Sequence, residues 1–82
     1  MKIEIFGPGC ARCKQTERNV REALSASGIE AEIIKVEDVR QYAVRGVVFT
    51  PAVAIDGELK CTGRIPTREE VQEWLSHTGV RN

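Results

Sequence analysis

Two cysteines with two residues between them, Cys10 and Cys13, are the side chains whose type and spacing could do chemistry. At the start of a helix, residues three apart project from the same face, close enough to form and break a disulfide. A Cys-x-x-Cys pair can also bind a metal ion. A structural zinc site normally needs four Cys or His ligands, and the sequence adds only Cys61 and His77 to the pair. A metal is therefore the weaker alternative, unless two chains share it through their cysteine pairs.

The two cysteines should differ if a helix begins at the pair. Cys10 would then lie among unpaired backbone N–H groups at the positive end of the helix dipole, which lowers a thiol pKa from its usual value of about 8.5. We therefore predict that Cys10 is the attacking thiolate. Cys13, one turn inside the helix and more sheltered, would resolve a mixed disulfide by attacking Cys10. Arg12 adds positive charge inside the motif and is predicted to help keep the thiolate ionised.

The elements that would position the pair can be predicted from hydrophobic periodicity and turn residues. In chain order, they are a strand at Lys2–Phe6, a helix at Cys10–Ser27, a strand at Ile29–Val36, a short helix between Asp38 and Gly46, a hairpin of Ala52–Ile55 and Glu58–Thr62, and a helix from Thr67 to near Gly79. Asp56-Gly57 between two β-favouring runs is a strong hairpin signal. Thr67 and Glu70 have the spacing of a helix capping box. The predicted order is β-α-β-α-β-β-α.

This order predicts an α/β fold. The first strand, the helix and the second strand form a right-handed crossover with parallel strands, and the hairpin adds two antiparallel strands. The result is a mixed four-stranded sheet flanked by three helices. Val39, Tyr42 and Ala43 are predicted to form the buried stripe of the short helix. Because no linker, repeat or low-complexity tract interrupts the pattern, we expect residues 1–82 to form a single domain.

The composition excludes several classes of function. The 82 residues carry 12 basic and 12 acidic side chains, so the formal net charge is zero and no basic block marks a surface for nucleic acid or anionic membranes. A chain of this length buries only about 60–70% of its unfolded surface, so we expect its stability to be modest, and it is too short for a multidomain enzyme or a large cofactor fold. No stretch approaches the roughly 20 apolar residues of a spanning helix, and the first residues lack the pattern of a signal peptide. We therefore expect a cytoplasmic protein.

Three sequence landmarks occur in an order that is typical of one superfamily. They are Gly9-Cys10-Ala11-Arg12-Cys13 after the first strand, Thr50-Pro51 before the hairpin, and Gly63 before the last helix. With these landmarks the chain resembles the thioredoxin and glutaredoxin superfamily, and it is most similar to the small thioredoxin-like proteins of bacteria and archaea sometimes called redox-active disulfide protein 2. The resemblance covers essentially all 82 residues. It implies a minimal thioredoxin-like fold and a protein-disulfide oxidoreductase that carries electrons on a reversible Cys10–Cys13 disulfide.

The resemblance also implies roles for residues outside the motif. Thr50-Pro51 matches the cis-proline site, whose backbone edge would pair with the extended chain of a substrate, and Gly63 would allow close backbone approach beside it. Glu4, six residues before the first cysteine, matches the buried acid that assists proton transfer to and from the resolving thiol. Lys35 on the neighbouring strand is its expected partner. The alternatives are an ordinary trans proline on an edge strand, a simple turn at Gly63 and, for Glu4, an exposed carboxylate on an alternating strand.

The resemblance has implications for partners as well. It implies no bound cofactor, because the electrons reside on the two sulfurs, and a thioredoxin-reductase-like flavoprotein as electron donor. Disulfide-containing proteins would be the substrates of a monomeric protein. Glutathione dependence is not expected, because Cys61-Thr62-Gly63-Arg64 lacks the paired glycines and the acidic residue that help glutaredoxins hold glutathione. Cys61 is expected to be a buried, inert thiol. A redox-inactive adaptor that binds partners at Thr50-Pro51 is the third alternative.

Overall fold

The computed structural model describes the backbone of residues 1–79 and the side chains of residues 1–76, so the side chain of His77 lies outside the described part. Within it, the strands and helices follow one another in the predicted order. In chain order, they are β1 (Lys2–Phe6), α1 (Ala11–Ser27), β2 (Glu32–Val36), α2 (Val39–Arg45), β3 (Ala52–Ile55), β4 (Glu58–Thr62) and α3 (Arg68–Gly79). None of these helices is long and apolar enough to cross a membrane.

The strands form one mixed sheet in the order β2-β1-β3-β4. β1 and β2 run parallel and are joined through α1, because parallel neighbours need a long crossover connection. β3 runs antiparallel to both β1 and β4. Asp56 and Gly57, between β3 and β4, have positive φ angles of 50° and 87°, as a two-residue hairpin turn of type I′ requires. The predicted α/β class and the mixed four-stranded sheet are thus confirmed.

β1 buries side chains on both of its faces and therefore joins two cores. The larger core consists of Ile3, Ile5, Val20, Ala23, Leu24, Val53, Ile55, Cys61, Val71 and Leu75, which come from the sheet, α1 and α3. The smaller core consists of Phe6, Val47, Ala52 and Ala54. Because alternate side chains of a strand point to opposite faces, Glu4 shares the face of Phe6 and not the face of Ile3 and Ile5.

β2 begins at Glu32, three residues later than its predicted start at Ile29. α1 ends at Gly28, whose left-handed backbone (φ 68°) turns the chain out of the helix. The N–H group of Ile29 then donates to the carbonyl group of Leu24 (3.1 Å) and caps the helix. Because the cap uses this N–H group, Ile29 is not available to the sheet, although its side chain still packs on the larger core.

α2 has the predicted ends but not the predicted buried face. Asp38 caps it by accepting a hydrogen bond from a backbone N–H group of the first turn (2.9 Å). The predicted stripe is wrong at two of its three positions, because Val39 is 67% exposed and Ala43 is also exposed. Only Tyr42 packs against the smaller core. The helix is only seven residues long and contacts the sheet through Tyr42 and through Arg45, which pairs with Glu4, so it has no continuous buried stripe.

α3 begins with the capping box that the sequence predicts. The hydroxyl oxygen of Thr67 accepts a hydrogen bond from the N–H group of Glu70 (3.0 Å), and the N–H group of Thr67 donates to the carboxylate of Glu70 (2.9 Å). Val71 and Leu75 are fully buried in the larger core. Asn19 on α1 donates to the carbonyl group that precedes Thr67 (2.8 Å), which fixes the start of α3 against α1.

Candidate active site

Cys10 and Cys13 lie at the N-terminus of α1. Cys10 is the N-cap residue, with an extended backbone (φ −74°, ψ 178°), and Cys13 lies in the first turn. Their Sγ atoms are 3.4 Å apart, so both are free thiols within reach of each other. Cys10 is exposed, whereas Cys13 is buried. The structure thus places one accessible sulfur beside one sheltered sulfur.

The environment of Cys10 favours its thiolate form. The backbone N–H group of Cys13 lowers the pKa of Cys10 most, followed by the hydrogen bond from the Cys13 thiol and by the N–H group of Arg12. The Cys10 side chain does not accept a capping hydrogen bond from these N–H groups. They therefore act on the sulfur as partial positive charges at the helix N-terminus. Among these causes, Arg12 acts on Cys10 through its backbone and not through its guanidinium.

Burial has the opposite effect on Cys13. Desolvation raises the pKa of Cys13 most, and the hydrogen bond with Cys10 and the negative charge of Cys10 raise it further. Cys13 therefore keeps its proton while Cys10 is a thiolate. The accessible sulfur is therefore also the one that ionises more readily.

Gly7, which the sequence pattern places only in a loop, is part of the site. A Cβ atom at position 7 would overlap the Sγ atom of Cys13 and lie 3.3 Å from its Cβ atom. The N–H group of Gly7 donates to the carbonyl group of Val36 (3.0 Å), which fixes this backbone at the end of the sheet. The buried sulfur therefore occupies the space that a side chain would need. A glycine directly after the strand, three residues before Cys10, is the signal that could have indicated it.

A second backbone edge is joined to the motif helix by hydrogen bonds. The peptide bond between Thr50 and Pro51 is cis. The carbonyl group of Pro51 accepts a hydrogen bond from the N–H group of Gly63 (2.9 Å), and the carbonyl group of Gly63 accepts one from the guanidinium of Arg12 (3.3 Å). Gly63 has a φ of 75°, and a Cβ atom there would lie 3.0 Å from the Cβ atom of Phe49. These contacts bring Arg12, the cis-proline segment and Gly63 together.

Glu4 lies on the face of the sheet that carries α2, away from α1. Its carboxylate accepts two hydrogen bonds from Arg45 (2.6 Å each), whose guanidinium also lies 5.4 Å from the ring centroid of Phe6. The hydrogen bonds from Arg45 are the main cause that lowers the pKa of Glu4. The predicted partner is wrong, because Lys35 pairs with Glu17 (3.6 Å). The role of Glu4 in proton transfer stays a prediction, with no contact to the cysteines to support it.

A cavity of about 110 Å³ lies beside the buried sulfur. Its lining residues are Ile5, Gly7, Gly9, Cys13, Lys14, Glu17, Lys35 and Glu37. Glu17 lies four residues after Cys13, on the same face of α1. Its carboxylate pairs with Arg21 (2.8 Å) and Lys35 (3.6 Å), and the hydrogen bond from Arg21 is the main cause that lowers the pKa of Glu17. The charged groups beside Cys13 thus come from α1, from β2 and from Glu37 directly after β2, where the sequence shows only scattered surface charges.

Cys61 is separate from the cysteine pair in the sequence and lies in the larger core. It is 8% exposed, and burial raises the pKa of its thiol. A buried thiol of raised pKa is a poor nucleophile. Among the side chains of residues 1–76, no group of three or more His, Cys, Asp or Glu is arranged to hold a metal ion.

Comparison with known proteins agrees with this geometry. Residues 1–76 match the family model described as a thioredoxin domain. The chain is 45% identical to the thioredoxin of Methanothermobacter thermautotrophicus over 76 residues, which are 93% of this chain and 99% of that protein. It is 48% identical to the thioredoxin of Methanocaldococcus jannaschii over 73 residues, which are 89% of this chain and 84% of that protein. The chain therefore belongs to the thioredoxin family.

Proposed function

We propose that the protein is a thiol–disulfide oxidoreductase that reduces disulfides in partner proteins. One observation carries the proposal: an exposed sulfur of lowered pKa, Cys10, lies 3.4 Å from a buried sulfur of raised pKa, Cys13. The first is ionised and accessible enough to attack a disulfide, and the second is close enough to complete the exchange. The family to which the chain belongs supports this reading.

The reaction has two exchange steps. The thiolate of Cys10 attacks one sulfur of the substrate disulfide, so that a mixed disulfide forms and the other substrate sulfur leaves as a thiolate. Cys13 then loses its proton and attacks the Sγ atom of Cys10. The Cys10–Cys13 disulfide forms, the mixed disulfide breaks, and the second substrate thiolate leaves and takes up a proton. The substrate disulfide gains two electrons, and the cysteine pair loses two.

The backbone around Thr50-Pro51 supports a site for the substrate chain. The Pro51 carbonyl group accepts a hydrogen bond from the N–H group of Gly63, and Arg12 donates to the carbonyl group of Gly63. We propose that this edge pairs with an extended segment of the partner beside Cys10. Reduction of the resulting Cys10–Cys13 disulfide then falls to a thioredoxin-reductase-like flavoprotein, and the protein acts as a cytoplasmic monomer.

The proposal is tested by the reduction of insulin disulfides with dithiothreitol as the electron source. The wild-type protein should accelerate reduction, and Cys10→Ser should abolish the acceleration because the attacking sulfur is gone. Cys13→Ser should stop turnover, and when it is mixed with insulin in the absence of dithiothreitol it should accumulate a mixed disulfide at Cys10, seen by mass spectrometry. Cys61→Ala is the matched control, since it removes a core thiol outside the pair, and it should retain activity.

Two results would contradict the proposal. One is that oxidation of the protein forms no Cys10–Cys13 disulfide in a thiol titration before and after dithiothreitol. The other is stoichiometric binding of zinc or copper that blocks both thiols and is reversed by a chelator. Either result would favour a metal carrier, since a shared metal needs the same two sulfurs.

A further inference from the structure

The buried thiol of the pair needs a route by which its proton can leave. Cys13 is 6% exposed, yet the second exchange step requires its sulfur to lose a proton before it can attack Cys10. The cavity beside Cys13, at about 110 Å³, has room for several water molecules. A proton that leaves Cys13 therefore enters a space with a defined set of ionisable neighbours.

Only one of these neighbours is suited to accept the proton inside the cavity. The titratable or charged groups that face Cys13 or Glu17 are Cys10, Lys14, Arg21, Lys35, Glu37 and Tyr42. The lysines and the arginine are cations, and the raised pKa of Tyr42 keeps its hydroxyl protonated. Glu37 is exposed, and its carboxylate lies beside Gly9 at the start of the motif. This leaves Glu17.

The position of Glu17 fits the task. It lies one helical turn from Cys13 on the same face of α1, and its side chain is 19% exposed. Arg21 and Lys35 hold the carboxylate from two sides, at 2.8 Å and 3.6 Å. These cations favour the charged form of Glu17, which is the form that can accept a proton, and because they lower its pKa the carboxylate holds that proton only briefly. Lys35 is itself well exposed, so the carboxylate borders both the cavity and the solvent.

We propose that Glu17 accepts the proton of Cys13 through water in the cavity during the second exchange step. The proton moves from the Sγ atom of Cys13 to a cavity water, which passes a proton to the Glu17 carboxylate. The Cys13 thiolate then forms the bond to Cys10 while the bond from Cys10 to the substrate sulfur breaks. Glu17 releases its proton to solvent, where the departing substrate thiolate takes one up. This inference rests on the proposed oxidoreductase function.

The two exchange steps can be timed separately with 5,5′-dithiobis(2-nitrobenzoate) in a stopped-flow instrument. Attack by Cys10 on an excess of this disulfide releases one coloured thiolate at a rate that depends on reagent concentration. Attack by Cys13 on the mixed disulfide releases a second one at a rate that does not. If no second equivalent appears, the proposed function fails. If it appears in every variant with one common pH profile, only the role of Glu17 fails.

The informative variant is Glu17→Gln, which keeps the shape of the side chain but cannot accept a proton. At neutral pH its second phase should be slower by about tenfold, less than the ~10²–10⁴-fold effect of a general base in direct contact with its proton. The rate of the second phase in the wild type should change little between about pH 6 and pH 8. In Glu17→Gln this rate should rise roughly tenfold per pH unit, as expected for a thiol that is ionised by solvent alone. The first phase should not change.

Two further variants separate proton transfer from a structural role. Lys35→Met removes the ion pair but keeps the carboxylate, so its second phase should keep the flat pH profile. Glu22→Gln, on the exposed surface of the same helix, should match the wild type in both phases. The proposal is overturned if Glu17→Gln is faster than the wild type, which would show that the carboxylate only repels the Cys13 thiolate. It is also overturned if Glu17→Gln and Lys35→Met are slowed alike without a change of pH profile.

Discussion

Gly7 shows how a single missing side chain defines the site. Its backbone is not left-handed, so a residue with a Cβ atom could adopt the conformation, but the Cβ atom would overlap the Sγ atom of Cys13. We expect Gly7→Ala to lower the free energy of unfolding of the reduced protein by about 1–3 kcal/mol, the usual cost of overpacking a core. Urea denaturation in the presence of dithiothreitol would measure it.

The control for this prediction is the same substitution in a Cys13→Ala background. There the Sγ atom is gone, and the cost of Gly7→Ala should fall because the overlap has been removed. An equal cost in both backgrounds would show that the turn, and not the close approach of Cys13, requires glycine at position 7.

The site could be predicted from the sequence only in part. The spacing of Cys10 and Cys13 was sufficient to indicate which sulfur would be accessible and which sheltered. Counting six residues back from Cys10 identifies Glu4, but it does not show on which face of the sheet the side chain lies. That face depends on how β1 is placed in the sheet relative to the helices. The contact between Gly7 and Cys13 depends on the distance between a loop and a helix, which no local pattern contains.

Hydrogen bonds at the helix ends fix the positions of the helices, in addition to the packing of their apolar faces. α3 is fixed by the reciprocal hydrogen bonds between Thr67 and Glu70 and by the contact of Asn19 with the preceding carbonyl group. We expect Thr67→Ala to lower the free energy of unfolding by about 1 kcal/mol, the typical cost of losing an N-cap hydroxyl. Ser76→Ala, exposed in the same helix, is the matched control and should have little effect.

The same variant tests whether the site depends on α3. Cys10 and Cys13 lie at the N-terminus of α1, where Arg12 of the first turn donates a hydrogen bond to Gly63. Both phases of the reaction with 5,5′-dithiobis(2-nitrobenzoate) should therefore be unchanged in Thr67→Ala. A slower first phase would contradict this independence and would show that α3 positions the motif through the larger core.

Element boundaries followed the sequence wherever a local signal marked them. Gly28 and Gly46 end their helices, and Asp56-Gly57 forms the hairpin turn, because each conformation is fixed by the residues that adopt it. The start of β2 could not be predicted, since the N–H group of Ile29 is drawn into the cap of the preceding helix. The exposure of Val39 likewise depends on how little of the sheet α2 covers.

At the scale of the whole molecule, the 12 acidic and 12 basic side chains balance, and several of them form local pairs of opposite charge. Among the side chains that the structure describes, four carboxylates have a lowered pKa, and for each the main cause is a hydrogen bond from an arginine. The pairs are Glu4 with Arg45, Glu17 with Arg21, Asp38 with Arg40 and Glu70 with Arg64. The pair of Glu4 and Arg45 is bidentate and partly buried, so it should be screened by solvent less than the other three.

These pairs predict how stability depends on pH. A carboxylate whose pKa is lower in the folded than in the unfolded protein contributes stability that is fully present above its unfolded pKa, about 4.3 for Glu, and is lost as the pH falls through the folded pKa. The urea midpoint of the oxidised protein, in which Cys10 and Cys13 do not titrate, should therefore be constant near neutrality and fall on acidification below about pH 5. The double variant Glu4→Gln with Arg45→Met should lose less on acidification than the wild type, because one titrating pair is absent. A midpoint that rises in acid, or an equal loss in the double variant, would mean that the arginines do not stabilise these carboxylates in solution.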